Sequence, residues 1–325
     1  MIRRLKNTVM GAPTPMAGLA LSIASLGWCW ENVLDSNGYV QWASAAIGGV
    51  LLTILAIKFL FHGHLLAKDL AHPVVGSVVP TFAMGVMVVS NSIGQFYPTA
   101  GNVIWLAAVV LHVVFLVSFF YHRAKDFELH HMVPSWFVPP IGIVVADVAF
   151  SGEPSLQWIA DSVLWFGLAS YLVMLPMMVY RLIFTHEVPD AAKPTIAIMA
   201  APASVSLAGY LAVSAEPSPV IIGVLFGIAI LMTSIIYVAF LKLMRLPFSP
   251  GYAAFTFPLV ISATALFKTA DWMESINVAS EYVAQVNWLA DIELGVATLV
   301  VSYVAIRYYA AYRPHQHLIA KQPSL

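Results

Sequence analysis

Residues 251–273 read GYAAFTFPLVISATALFKTADWM. The run is apolar enough to cross a bilayer, yet it holds a proline near its middle and a lysine near its end. Proline removes a backbone hydrogen bond and bends a helix, and an ionisable side chain is expensive at membrane depth. A membrane helix that carries both does so for a reason. The rest of the chain supplies the setting: 325 residues, 60% hydrophobic and only 10% charged, with a mean hydropathy of +0.85. A soluble domain carries about 25% charged residues, so this composition belongs to a polytopic membrane protein.

A helix needs roughly 20 apolar residues to cross about 30 Å of hydrocarbon. Ten such runs are expected, near 14–33, 40–62, 75–96, 102–121, 135–150, 157–181, 194–213, 219–243, 251–270 and 288–310. The basic residues support this layout. Arg3, Arg4 and Lys6 precede the first span, and Lys58 and Lys68 flank the link from the second to the third. Arg123 and Lys125 follow the fourth, Arg181 and Lys193 separate six from seven, and Lys242 and Arg245 separate eight from nine. Arg307, Arg313 and Lys321 close the chain, so fourteen of the fifteen bases fall on one side. By the positive-inside rule that side is cytoplasmic, with both termini inside a plasma membrane and short tails at about 1–12 and 312–325. The chain is thus expected to be one transmembrane domain. Acids lean to the other face, among them Glu31, Asp35, Glu153, Glu216, Glu274 and Glu281. Lys268 is the exception among the bases.

The prolines repeat. Pro13, Pro73, Pro134, Pro194 and Pro250 lead the odd-numbered spans at intervals of about sixty residues, the length of a helical hairpin. Such a fixed period marks a repeated supersecondary unit. Further prolines follow within the odd spans, as at Pro80, Pro139, Pro140, Pro202 and Pro258, whereas the even spans hold almost none apart from Pro176. The expected fold is all-α: five hairpins, with five proline-kinked inner helices around a central pore and five outer helices facing lipid.

Advancing 100° per residue along span nine brings Ile261, Thr264 and Lys268 within about 40° of Phe257, the lysine about 16 Å further along. One face therefore presents an aromatic beside the Pro258 bend, a hydroxyl and a cation. Lys268 could instead reach outer headgroups or pair with Asp271 at i+3, and Phe257 could simply pack. Gly18, Ser22 and Ser25, Ser77 and Thr81, Gly142, and Ser204 and Ser206 punctuate the other odd spans; residues of this kind line pores or allow close helix packing. With Asp147 near an outer end, the expected wall has almost no fixed charge. It suits weak binding and fast passage closed by a hydrophobic constriction.

Other chemistries have little behind them. Only His112 among the ten histidines lies well inside a span, so a paired-histidine haem site is lacking. HGH at 62–64 and HH at 130–131 are metal-ligand types, but capping and headgroup contact are the plainer reading, as for His72, His122, His186, His315 and His317. No Walker A, GxGxxG, HExxH or GxSxG sequence occurs, and neither enzyme activity nor a cofactor is expected. Cys29 is the sole cysteine, which excludes an internal disulfide. A net charge of −1 gives no bias towards nucleic acid.

Five segments in register, PTPMAGLALSIASLGW (13–28), HPVVGSVVPTFAMG (72–85), VPSWFVPPIGIVVA (133–146), KPTIAIMAAPASVSLAGYL (193–211) and FTFPLVISATALFK (255–268), cover the five odd spans. With them the chain resembles the TehA-type tellurite-resistance/dicarboxylate transporter family, which includes the plant guard-cell slow anion channels. The resemblance implies a homotrimer with one pore per subunit. It implies passage of small anions such as chloride and nitrate, with a phenylalanine gate at Phe257 beside Pro258 and Lys268 facing the path. The competing expectation is a proton-coupled exporter of dicarboxylates or tellurite-like oxyanions, for which His112 is the deepest protonatable candidate.

Overall fold

The computed structural model describes residues 2–312, with side chains from residue 6 onward. Arg3, Arg4, Arg313, Lys321, His315 and His317 lie outside the described side chains. Ten apolar helical segments follow one another: α1 (Met16–Trp30), α2 (Tyr39–Phe61), α3 (Val75–Gly94), α4 (Pro98–Lys125), α5 (Pro134–Val148), α6 (Pro154–Phe184), α7 (Asp190–Val213), α8 (Pro219–Leu243), α9 (Pro250–Ser275) and α10 (Ser280–Ala311). Eight are long and apolar enough to span a membrane, and the shorter two are α1 and α5. No strand occurs among the described residues. A short helix, Gly63–Ala71, joins α2 to α3.

Burial separates the helices into two rings. Along the apolar stretches of α3, α7 and α9, 72%, 78% and 83% of residues are buried, against 28–39% for the five even helices. In α1, eleven of fifteen residues are buried, and every residue of α5 is. The two short helices are thus enclosed by protein, which relieves them of matching the bilayer thickness. The even helices present apolar residues such as Leu60, Leu172, Val238 and Leu299 outward, as a lipid-facing ring requires.

The prolines do something other than kink a continuous helix. In α7 a 3-10 segment covers Asp190–Ala200, and the α-helical part starts at Ala201 with Pro202 in its first turn. In α9 the 3-10 segment is Pro250–Phe255 and the α-helical part starts at Phe257, again with proline, Pro258, in the first turn. A proline there sacrifices no helical hydrogen bond, because the first-turn N–H groups have no intrahelical partner. In α3 a short turn, Val75–Val78, precedes Pro80 at the N-cap of Thr81–Gly94. α3, α7 and α9 are therefore two-part rods with a junction partway along, whereas α1 is a single helix behind Pro15. The most broken is α5, which alternates between 3-10 and α geometry along its whole length.

Irregular backbone in a membrane has to be satisfied from outside the segment, and α4 provides for α5. The imidazole Nε2 of His112 donates to the carbonyl of Pro139 at 2.8 Å, and the indole of Trp105 donates to the carbonyl of Ala146 at 2.9 Å. On the other flank α5 is clasped by glycines. A Cβ on Gly167 of α6 or Gly209 of α7 would stand 2.1 Å or 2.5 Å from the methyls of Val144, so only glycine admits this approach.

Candidate functional site

Two cavities lie inside the inner ring. The larger, about 480 Å³, is walled by all five odd helices, through Gly18, Thr81, Gly142, Ile198 and Phe257 among others. It extends to the helix ends of the face that carries the basic links, where Thr14, Lys58 and Asp69 complete its wall. The smaller, about 80 Å³, lies towards the acidic face between α1, α3, α5 and α9, and its wall includes Ser25, Cys29, Val88, Val145 and Lys268. Among the described residues, Phe257 alone is on both walls. It is the first residue of the α-helical part of α9, so the 3-10/α junction sets its side chain between the two spaces.

The sequence-selected residues divide accordingly. Gly18, Thr81, Gly142 and Pro258 line the larger cavity, and Ile261, Thr264 and Lys268 the smaller one. The residues grouped along span nine therefore border one or the other of these two spaces. Ser22, Ser77 and Ser204, expected as pore-lining, are on neither wall. Ser22 donates to the carbonyl of Gly18 or shares its proton with Thr256. Ser77 donates to Ser135 across the α3–α5 contact, and Ser204 donates back to the carbonyl of Ala200. A serine between close-packed helices satisfies its hydroxyl locally, and residue type alone does not distinguish that from facing a pore.

The charge pattern is sparse and paired. Each cavity wall holds one lysine and one aspartate: Lys58 and Asp69 in the larger, Lys268 and Asp271 in the smaller. Lys58 is 6% exposed. Its ammonium donates to the carbonyl of Ala12 at 2.8 Å and to the Thr14 hydroxyl at 3.1 Å, and stands 3.9 Å from the Asp69 carboxylate. Thr14 in turn donates to Asp69 at 2.5 Å. Lys268 shares its cavity with Asp271 without forming an ion pair within 4.0 Å among the described residues.

Three residues escaped the sequence reading. Lys58 reads from the sequence only as a link charge and Asp69 is not singled out there, although Lys58 ends a span and turns inward. Glu293 of α10 is 2% exposed with Oε2 lacking a partner, and its neighbours include Ser262, Cys29 and Tyr237. The signal was present: an acid inside the apolar run LADIELGVATLVV marks a candidate by its cost alone. Asp147 is fully buried and lies on neither cavity wall, with both carboxylate oxygens unpartnered.

Comparison with known proteins agrees with this architecture. Residues 11–309 match the model of the SLAC1 family, described as voltage-dependent anion channel. Two uncharacterized transporters of Methanocaldococcus jannaschii are similar, MJ0576 at 29% identity over 62% of this chain and MJ0762 at 26% over 65%. The aligned part spans 65% and 68% of those relatives' own lengths. With the family match running through all ten helices, the chain belongs to the SLAC1 family of voltage-dependent anion channels.

Proposed function

We propose that this protein is a gated, passive channel for small monovalent anions such as chloride and nitrate, closed at rest by the phenyl ring of Phe257. One observation carries the reading: among the described residues, Phe257 alone stands on the walls of both cavities. A ring across an otherwise apolar constriction offers a permeating ion no replacement for its hydration shell, so the barrier is one of dehydration. Rotation of one side chain joins the two spaces without moving a helix. With a single lysine and a single aspartate on each wall, the open path binds anions weakly enough to release them. The basic face is assigned to the cytoplasm of the plasma membrane on the charge asymmetry of the links. A homotrimer with one pore per subunit rests on the family resemblance.

A second reading, a proton-coupled exporter of dicarboxylates or tellurite-like oxyanions, draws on a specific observation. Asp147 and Glu293 are buried carboxyl groups at membrane depth with unpartnered oxygens, the kind of group that coupling needs.

The deciding experiment is voltage-clamp recording of wild type and Phe257→Ala in asymmetric chloride and nitrate. A small wild-type current and a much larger variant current, reversing near the anion equilibrium potential, are expected. Uphill accumulation of substrate by reconstituted wild type, abolished by Glu293→Gln or Asp147→Asn, would replace the channel with the carrier.

A further inference from the structure

The turn between α4 and α5 carries Glu128, His130 and His131, whose ligand atoms lie within 4.8 Å of one another. From this juxtaposition we propose that the turn is a binding site for a divalent transition ion of the zinc class, on the basic face of the protein. Two imidazoles and a carboxylate form a donor set that suits zinc, and three protein ligands with open positions for water is a common zinc arrangement.

The backbone of the turn is held before any ion arrives. The N–H of His131 donates to the carbonyl of Glu128 at 2.9 Å, and that of Met132 to Leu129 at 3.1 Å. The guanidinium of Arg181, 1% exposed, donates to the carbonyl of His130 at 3.1 Å and to that of His186 at 2.6 Å. Beyond the turn, Met132 and Val133 are buried. The ligand side chains therefore project from a fixed backbone, and only their own rotamer freedom remains to oppose binding.

An ordinary surface ion pair accounts for only part of this. His130 Nδ1 lies 3.0 Å from the Glu128 carboxylate, both side chains about half exposed, and such a pair contributes little stability. It leaves His131 unexplained: its ring centroid is 4.3 Å from that of His130, and its Nδ1 is buried with no hydrogen-bond partner. A buried polar atom without a partner points to a missing ligand. A metal ion at the turn gives the second imidazole a role beside the first.

The claim concerns binding and stands whether or not the pore conducts. The test is titration of tag-free, chelator-treated protein with Co²⁺, followed by visible absorption and by displacement with Zn²⁺, and with Zn²⁺ by calorimetry. Wild type is expected to bind one ion per chain. Affinity should fall at least about tenfold in both His131→Ala and Glu128→Gln, and stay unchanged in His62→Ala/His64→Ala and His315→Ala/His317→Ala. Glu128→Gln, at an exposed position, keeps the test valid should His131→Ala fold poorly. Absence of saturable binding, or a loss that follows the other histidines instead, would overturn the site.

Discussion

Ser22 of α1 and Thr256 of α9 share a hydroxyl contact of 2.6 Å at the 3-10/α junction, one residue before Phe257. Both hydroxyls are fully buried, and each also lies within bonding distance of a carbonyl, Gly18 for Ser22 and Ala253 for Thr256. Three contacts thus share two protons, so the pair is adaptable and not rigid. Ser22→Ala should cost about 1 kcal/mol of stability, because Thr256 keeps its bond to Ala253. The junction that positions Phe257 loses its tie to α1, so resting anion leak should rise, though less than in Phe257→Ala. Thermal unfolding in detergent and leak flux from loaded liposomes check both parts. A leak equal to wild type in a destabilised variant would detach this contact from gating.

The histidine that sequence reasoning picked for proton transfer has a structural duty. The Nε2 bond of His112 to the Pro139 carbonyl satisfies a backbone group of the irregular α5. His112→Leu should therefore lower stability by about 1–2 kcal/mol and leave the pH profile of transport between about pH 5 and 8 unaltered. Flux measured across that range in liposomes tests the distinction; a flattened profile with normal stability would restore His112 as a proton carrier.

The two rings of helices were legible in the sequence, whereas the rotation of each helix was not. Ten spans, the sixty-residue proline period and the charge asymmetry are one-dimensional patterns, and they gave the two rings of helices. The grouping of Phe257, Ile261, Thr264 and Lys268 on α9 needed only helical geometry within one element. Ser22, Ser77 and Ser204 could not be placed this way, because which way a serine faces depends on helix rotation, and that is fixed by packing such as the Gly167–Val144–Gly209 clasp. Lys58 was missed for a related reason: its helix faces lipid, and only the last turn reaches the cavity.

On the acidic face, Glu31 stands just past α1 and accepts hydrogen bonds from the Ser36 hydroxyl and the N–H groups of Gly38 and Gln41 at the start of α2. Burial raises its pKa, but these donors outweigh burial and hold the carboxyl below its ordinary value. A lowered folded value stabilises the protein at pH above the unfolded value, about 4.3, and that contribution disappears as pH falls through the folded value. Wild type should thus be more stable than Glu31→Gln at neutral pH, and the gap should close on acidification below about pH 4. Thermal unfolding of both proteins over an acid series tests the sign; a gap that widens in acid would contradict it.

The mouth of the larger cavity offers the strictest test of how its charges act. Asp69 lies 3.9 Å from the Lys58 ammonium and accepts from Thr14, so it sits where an incoming anion would meet the lysine. Its side chain is 25% exposed, and solvent reduces the effect of such a pair to at most about 1 kcal/mol, or about fivefold. In the Phe257→Ala background, where the ring no longer limits passage, Asp69→Asn should raise anion current drawn from the basic face by up to that factor. Lys58→Met should lower it. Both changes should shrink as salt is raised, since screening acts over about 8 Å at physiological ionic strength. If the cluster serves only to tie α2 to the start of α1, both variants will lose stability and neither will shift current in a salt-dependent way. Opposite, salt-sensitive shifts from two adjacent substitutions are an outcome that electrostatics predicts and packing does not.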